Sequence, residues 1–208
     1  MQDEKEQEAL TRVYELKALT SQINPHFLYN TLETIIWMAE FQDHKKVVEI
    51  TKALSNYFRL SLNAGNELVT LQQEIEHVRQ YLFIQKERYG DKLNYRIDFS
   101  EEIPPIMIPK IVIQPLVENA IYHGIKEIDR PGQIDITLLK IDEWIEICIA
   151  DNGVGMSGKE TSSKQLGGIG IKNVTERLKL FFGEAFTMTI DSKPNEYTKV
   201  YLRIPIKR

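Results

Sequence analysis

Between Ala9 and Ile36 the apolar residues recur at three- and four-residue steps: Leu10, Val13, Leu16, Leu19, Ile23, Phe27, Leu28, Leu32 and Ile35. This is a helical period, so the chain is expected to open on a long amphipathic helix. Pro25 lacks a backbone donor and is expected to bend that helix at His26. After a polar break from Gln42 to Lys45, the same period returns through Val47, Ile50, Leu54, Phe58 and Leu62. The pattern predicts an antiparallel helical hairpin ending near Asn63 to Asn66. So few residues form no core alone, and the apolar seam calls for a second helix pair or a second copy of the chain.

Beyond residue 66 the period changes. Thr70-Leu-Gln-Gln73 has the form of a capping box, opening a helix that runs to about Tyr89 and stops at Gly90 and Asp91. Leu93, Tyr95, Ile97 and Phe99 alternate as a strand. Pro104, Pro105 and Pro109 mark a loop before a helix from Pro115 to Ile125. Two further alternating runs, Ile134 to Leu138 and Ile145 to Ile149, read as strands covered on one face. A polar loop over Ser157 to Lys164, a helix from Ile171 to Phe182 and strands over Phe186 to Ile190 and Val200 to Ile204 complete the chain. The expected class is α+β: a helical hairpin over 1–66, then over 67–208 a domain with helices against one face of a mostly antiparallel sheet.

Composition narrows the function. A net charge of -4 without a dense Lys/Arg run lacks the electrostatic footprint of a nucleic-acid binder. One cysteine, Cys148, excludes an intrachain disulfide and a CxxC metal clip. No run of about 18 apolar residues is present, and the opening MQDEKEQEAL is too charged for a signal sequence.

Three segments of the second domain carry candidate chemistry. In Gln114-Pro-Leu-Val-Glu-Asn-Ala-Ile-Tyr-His-Gly124, the residues Glu118, Asn119 and His123 interrupt an apolar helix. They either face water or serve a ligand: the Asn119 amide oxygen suits Mg²⁺ carrying nucleotide phosphates, and Glu118 suits orienting or deprotonating a nucleophile. Asp151-Asn-Gly-Val-Gly-Met156 is an ordinary turn signal after a strand. An ionised Asp151 there can also accept a hydrogen bond from an exocyclic amine such as adenine N6, with Gly153 and Gly155 allowing a flat base to approach. Gly167-Gly-Ile-Gly-Ile-Lys-Asn173 opens a helix, where free amide groups form an anion site. It is neither a Walker A loop nor the dinucleotide GxGxxG pattern.

In their order and spacing the three segments resemble the N, G1 and G2 boxes of the GHKL (Bergerat-type) ATP-binding fold of histidine kinases, gyrase-type topoisomerases, Hsp90 and MutL. QINPHFLYNTLE, PLVENAIYHGI and GGIGIKNVTERL, taken together, resemble the LytS/YesM-type sensor histidine kinases across essentially the whole chain. The resemblance implies His26 as phosphoacceptor, Asn119 as Mg²⁺ ligand, Asp151 as adenine anchor, and Gly153, Gly155, Gly168 and Gly170 as nucleotide-loop glycines. His123 and Asn173 join them as candidate nucleotide contacts. It also implies ATP as substrate, a homodimer built as a four-helix bundle, phosphoryl transfer to an aspartate of a response regulator, and a membrane-spanning sensor upstream of a cytoplasmic portion. Two positions depart from the better-known kinases: Phe27 follows the histidine where an acidic residue is usual, and Pro115 stands four before Asn119. The base is therefore open between Glu118 and Glu33, with Asn30 a candidate orienter one turn from His26. A clamp ATPase of the same fold and a nucleotide-binding pseudokinase are the alternatives. His44 and His77 are expected to be solvated, and the sequence does not separate phosphate contact from surface placement for Arg88, Tyr122 and Lys126.

Overall fold

Alternation along the strands decides which face of the sheet is covered. A computed structural model describes residues 25–62, 66–99, 103–156 and 169–206. The opening helix before Pro25, the end of the hairpin, the polar 157–164 loop and Gly167 and Gly168 lie outside the described residues. The chain divides into two compact units, with the division between Gly65 and Asn66.

The first unit holds α1 (Pro25–Glu40) and α2 (His44–Leu62). Gln42 takes a positive φ of 58° in the short connection, and Asp43 Oδ1 accepts the Lys46 amide at the start of α2. Phe27 and Thr31 of α1 and Ile50, Ala53, Leu54, Tyr57 and Ser61 of α2 are buried between the helices. Tyr29, Leu32, Ile36, Trp37 and Phe41 remain exposed on α1 and its end, with Trp37 at 60% and Phe41 at 77%.

In the second unit a short strand β1 (Leu68–Thr70) leads into α3 (Leu71–Tyr89). The expected capping box is present: Thr70 Oγ1 accepts the Gln73 amide at 3.2 Å, and Gln73 Oε1 accepts the Thr70 amide at 2.9 Å. A 3₁₀ turn (Gly90–Lys92) and β2 (Leu93–Phe99) follow. The proline-marked stretch is not all loop, because Met107–Pro109 forms β3 antiparallel to β1. Next come α4 (Gln114–Asn119) and a π turn (Ala120–Ile125), then β4 (Gly132–Ile141) and β5 (Trp144–Asp151). The chain closes with α5 (Ile169–Phe182), β6 (Thr187–Lys193) and β7 (Tyr197–Pro205).

The main sheet has the order β2-β4-β5-β7-β6, parallel only between β2 and β4, as a mostly antiparallel α+β sheet should be. Ile134, Ile136 and Leu138 of β4, Ile145, Ile147 and Ile149 of β5, and Val200, Leu202 and Ile204 of β7 all lie buried on one face. Each such side chain contributes about 1.5–3 kcal/mol on burial, so this stripe fixes the register and the covered face. Apolar residues of α3, α4, the π turn and α5 complete that core, among them Val78, Leu82, Leu116, Ile121, Val174 and Leu178.

Candidate functional site

The stripe that builds the core also aims the first functional group. Asp151 continues the Ile145, Ile147, Ile149 series by one more period of two, so its carboxylate enters the covered face at the end of β5. It is 6% exposed, and burial pushes its carboxyl up to about 6, against the pull of the Gly153 amide that donates to Oδ1 at 2.9 Å. Asn152 pins the turn from the other side. Its Oδ1 accepts the Gln133 amide at 2.7 Å and its Nδ2 donates to the Pro131 carbonyl at 3.2 Å.

The helix bearing Asn119 touches both other motifs. At its far end, a Cβ on Gly124 would stand 2.5 Å from Asp151 Oδ1, and one on Gly153 would stand 2.3 Å from the Gly124 carbonyl carbon. Val154 N donates to the Gly124 carbonyl at 3.1 Å and seals the contact. At its near end Gly170, the first turn of α5, lies against Pro115 with room for a methyl group. The glycines thus have a reason besides ligand approach. Gly153 admits the backbone of the π turn, and Gly155, at φ +65°, admits the Lys193 carbonyl. Pro115 falls in the first turn of α4, where its missing N–H removes no intrahelical bond.

The single predicted helix from Pro115 to Ile125 is instead an α turn run into a π turn, closed by Lys126 N donating to the Ile121 carbonyl at 2.9 Å. π segments widen a helix locally and concentrate at functional positions. Glu118 is partly buried, accepts Gln114 Nε2 at 2.8 Å, and is pushed up by burial, the Gln114 bond pulling the other way. Asn119 Nδ2 and Tyr122 Oη are buried with no hydrogen-bond partner. His123 and Asn173 are exposed.

Sequence reasoning missed the turn that sets this helix. Glu74 of α3, 2% exposed, accepts the amides of Ile111 at 2.9 Å, Val112 at 2.8 Å and Ile113 at 2.9 Å. Arg177 Nη1 of α5 donates to the Lys110 carbonyl at 3.0 Å. Ile111 sits at φ +56°, a costly conformation for a β-branched residue, and the Glu74 carboxylate holds it there. The capping box places Glu74 in the first turn of a helix, and nothing local marks it as buried. His77 corrects an expectation as well: it is 3% exposed rather than solvated, and burial lowers its imidazole to about 4. His44 is exposed, as expected.

In the first unit His26 is exposed and Asn30 Nδ2 lies 3.1 Å from its Nε2. The Asn30 amide can pair with Nε2 in either ring tautomer, accepting or donating according to which nitrogen carries the proton. Phe27, in the position of the missing acid, is 2% exposed and packs on Tyr57.

The donor set suits a metal-bound polyphosphate. Asn119 supplies an amide oxygen of the hard kind that Mg²⁺ takes, and its Nδ2 is buried. Among the described residues no group of three or more His, Cys, Asp or Glu could cage an ion. A Mg²⁺ ion carried by nucleotide phosphates needs only one or two protein oxygens, a role the Asn119 amide oxygen would fit.

Fold and site together define a nucleotide-binding α/β unit of the histidine kinase-, DNA gyrase B-, and HSP90-like ATPase family, whose model matches residues 107–208, while a histidine kinase family model matches 14–93. The chain belongs to the sensor histidine kinases. It is 37% identical over 207 residues to the sensor histidine kinase YesM of Bacillus subtilis (strain 168), covering 100% of this chain and 36% of that one. BtsS of Escherichia coli (strain K12) is 34% identical over 96% of this chain and 35% of its own length. LytS of Streptococcus mutans is 35% identical over 98% and 36%. The chain thus spans about a third of these relatives. A histidine kinase domain from Erythrobacter litoralis shares the fold at a TM-score of 0.53 and 13% identity, over 92% of this chain and 93% of that one. Among the described residues no helix is long and apolar enough to cross a membrane.

Proposed function

We propose that this chain is the phosphoacceptor and ATP-binding portion of a two-component sensor kinase, phosphorylating itself on His26 from Mg-ATP and passing the phosphoryl group to an aspartate of a response regulator. The observation that carries this is the meeting of Asp151, Gly124 and the Asn119 helix in one wall, with an exposed, oriented imidazole elsewhere in the same chain. Asp151, when ionised, accepts the adenine amine, and its burial makes that single bond discriminating. Asn119 Oδ1 would hold a magnesium ion, which when bound would supply neutralisation of the nucleotide's phosphate charge.

The missing acidic neighbour of His26 is less damaging than it first looks. In the tautomer with the proton on Nδ1, Nε2 carries a free pair once Asn30 swings aside, at a cost of about 1 kcal/mol for one exposed hydrogen bond. The Nε2–P bond forms as the bond from the γ-phosphorus to the ADP oxygen breaks, and the Nδ1 proton leaves to solvent or a carboxylate. Glu118, with its raised basicity, is better suited to taking that proton than a fully solvated acid. In the regulator step the imidazole takes a proton back as the phosphoryl group moves to the aspartate oxygen.

Dimerisation rests on the stripe of Tyr29, Leu32, Ile36, Trp37 and Phe41, which α2 leaves uncovered. A second hairpin covering it gives the four-helix bundle. The hairpin over 1–66 is then the dimerisation and phosphoacceptor domain, 67–208 the ATP-binding one, and a membrane sensor precedes both in the full protein.

The test is incubation of the chain and its His26→Ala variant with γ-labelled ATP and Mg²⁺. Acid-labile, alkali-stable label on the parent and none on the variant is the expected result. Hydrolysis without protein label would overturn the proposal in favour of a clamp ATPase, and nucleotide binding with neither in favour of a pseudokinase.

A further inference from the structure

The hairpin between β6 and β7 meets the Asp151–Met156 turn at three successive residues. Asn195 N donates to the Val154 carbonyl, the Lys193 carbonyl fills the space a Cβ on Gly155 would need, and Met156 N donates to Ser192 Oγ at 2.8 Å. Local sequence shapes the hairpin for this contact. Lys193-Pro-Asn-Glu196 closes with Glu196 N donating to the Lys193 carbonyl at 3.1 Å. Asn195, at φ +61°, stands third in that turn, where a proline in second place calls for a left-handed residue.

Ser192 is the one residue that reaches across with a side chain. Its hydroxyl accepts the Met156 amide, donates to the Tyr197 carbonyl at 2.9 Å and lies 3.1 Å from Thr198 Oγ1. A single oxygen thus ties the turn to both strands of the hairpin. The register sets Ser192 opposite Thr198 and Thr198 opposite Asp151, so all three share one face of neighbouring strands. Two strand spacings, about 10 Å, separate the backbones of Ser192 and Asp151.

Most other holds on the turn are made by main chain or by its own residues. Asn152 N donates to the Gln133 carbonyl, Val154 N to the Gly124 carbonyl, and Gly153 N to the Asp151 carboxylate. Arg130 reaches the Asn152 carbonyl, but in an exposed position. The Ser192 bond is part-buried, so its loss leaves the Met156 amide without that partner where water replaces it poorly.

We propose that Ser192 is a positioning residue for nucleotide binding, resting on the nucleotide reading above: it acts through Met156 to hold Gly153 and Gly155 where a base approaches. Asn152 fixes the entry of the turn through the Gln133 amide and the Pro131 carbonyl, and Ser192 fixes its exit from a strand outside the three motifs. A turn released at Met156 holds the binding geometry for only part of the time, and the apparent affinity falls by that fraction. Because the turn serves the base, nucleotides that differ only in the terminal phosphate should lose affinity alike.

The experiment measures calorimetric affinities of Mg-ATP and of ADP for the whole chain and for Ser192→Ala and Ser192→Thr, with thermal unfolding of the same samples. The expected result for Ser192→Ala is a loss of about fivefold or more, equal for both nucleotides, with cooperative unfolding within about 5 °C of the parent. Ser192→Thr keeps the hydroxyl and should recover most of the affinity. Parent-like affinity in Ser192→Ala, a loss confined to ATP, or equal losses in the Ala and Thr variants would each overturn the proposal. A Ser192→Ala chain that no longer unfolds cooperatively would overturn it too, making the hydroxyl a part of the fold alone. A parent chain that binds neither nucleotide would overturn the nucleotide reading itself, and this inference with it.

Discussion

Phe27 packs on Tyr57 with ring centroids 4.8 Å apart and planes tilted by 52°, both side chains being 2% exposed. The residue beside the proposed phosphoacceptor is thus a packing anchor that clamps α1 to α2. Being adjacent on a helix, the two side chains diverge, so burying Phe27 turns His26 outward.

Restoring an acid at that position should therefore fail as a repair. Phe27→Glu places a charge where 2% of the side chain meets solvent, and is expected to lower the hairpin's stability by about 3 kcal/mol or more without raising the rate of label uptake. Thermal unfolding followed by circular dichroism, with labelling alongside, decides it. A faster-labelling, equally stable variant would show that the family departure is a missing base after all.

The Glu74 clamp predicts a large effect from a residue remote from the three motifs. Glu74→Ala leaves three amides unpaired, two of them buried, and is expected to cost about 3–5 kcal/mol. Glu74→Gln keeps one acceptor oxygen and should cost about 1–2 kcal/mol. Urea titration of the whole chain measures both, and equal stability of Glu74→Ala and parent would remove the clamp.

Asp151 gives opposite pH signs for stability and for binding. Its folded value, about 6, lies above the ordinary 3.8, so the folded chain holds the proton more tightly than the unfolded one. That contribution is complete below about pH 4 and is lost as pH rises through 6, a cost of about 3 kcal/mol at neutral pH. Asp151→Asn, which keeps an acceptor for the Gly153 amide, should raise the melting midpoint at pH 8, match the parent at pH 4 and bind ATP poorly. In the parent, ATP affinity should fall as pH drops through about 6, because the protonated acid no longer accepts as an anion.

Gly153→Ala tests the docking of the turn on the π segment. Its Cβ would meet Gly124 backbone atoms at 2.3 to 2.5 Å, and backbone cannot yield as a side chain can. A loss of about 2 kcal/mol or more in stability is expected, with weaker nucleotide binding, in the range seen for overpacked sites. Gly170→Ala, whose Cβ finds only Pro115 at 3.8 Å, should leave stability within about 0.5 kcal/mol of the parent and serves as its control.

Much of this was legible in the residues because local rules dominate where they apply. The capping box at Thr70 and Gln73, the strand alternation through Ile134 and Ile145, and the period of α2 need only near neighbours. What escaped depends on partners distant in sequence. Glu74 looks like any first-turn acid until a turn 37 residues away presents its amides, and His77 looks solvated until tertiary packing buries it. The π turn also left no mark, since Ala120 to Ile125 carries an apolar pattern common to any buried helix. Candidate site residues could be named by type, but which glycine meets protein backbone and which leaves room could not. That distinction comes from tertiary contacts at Gly124, Gly153 and Lys193.

The carboxylate of Glu74 also sets where the nucleotide unit can be cut from the chain. The stretch matching the ATPase family starts at residue 107 and contains all three motifs, yet the acid that shapes the turn before Asn119 lies upstream on α3. A fragment trimmed to the family boundary would carry every recognisable motif and lose the anchor of its first turn. The compact unit that holds the motifs begins instead near Asn66, so α3 is shared property: continuous in sequence with the proposed phosphoacceptor segment, and structurally part of the nucleotide fold.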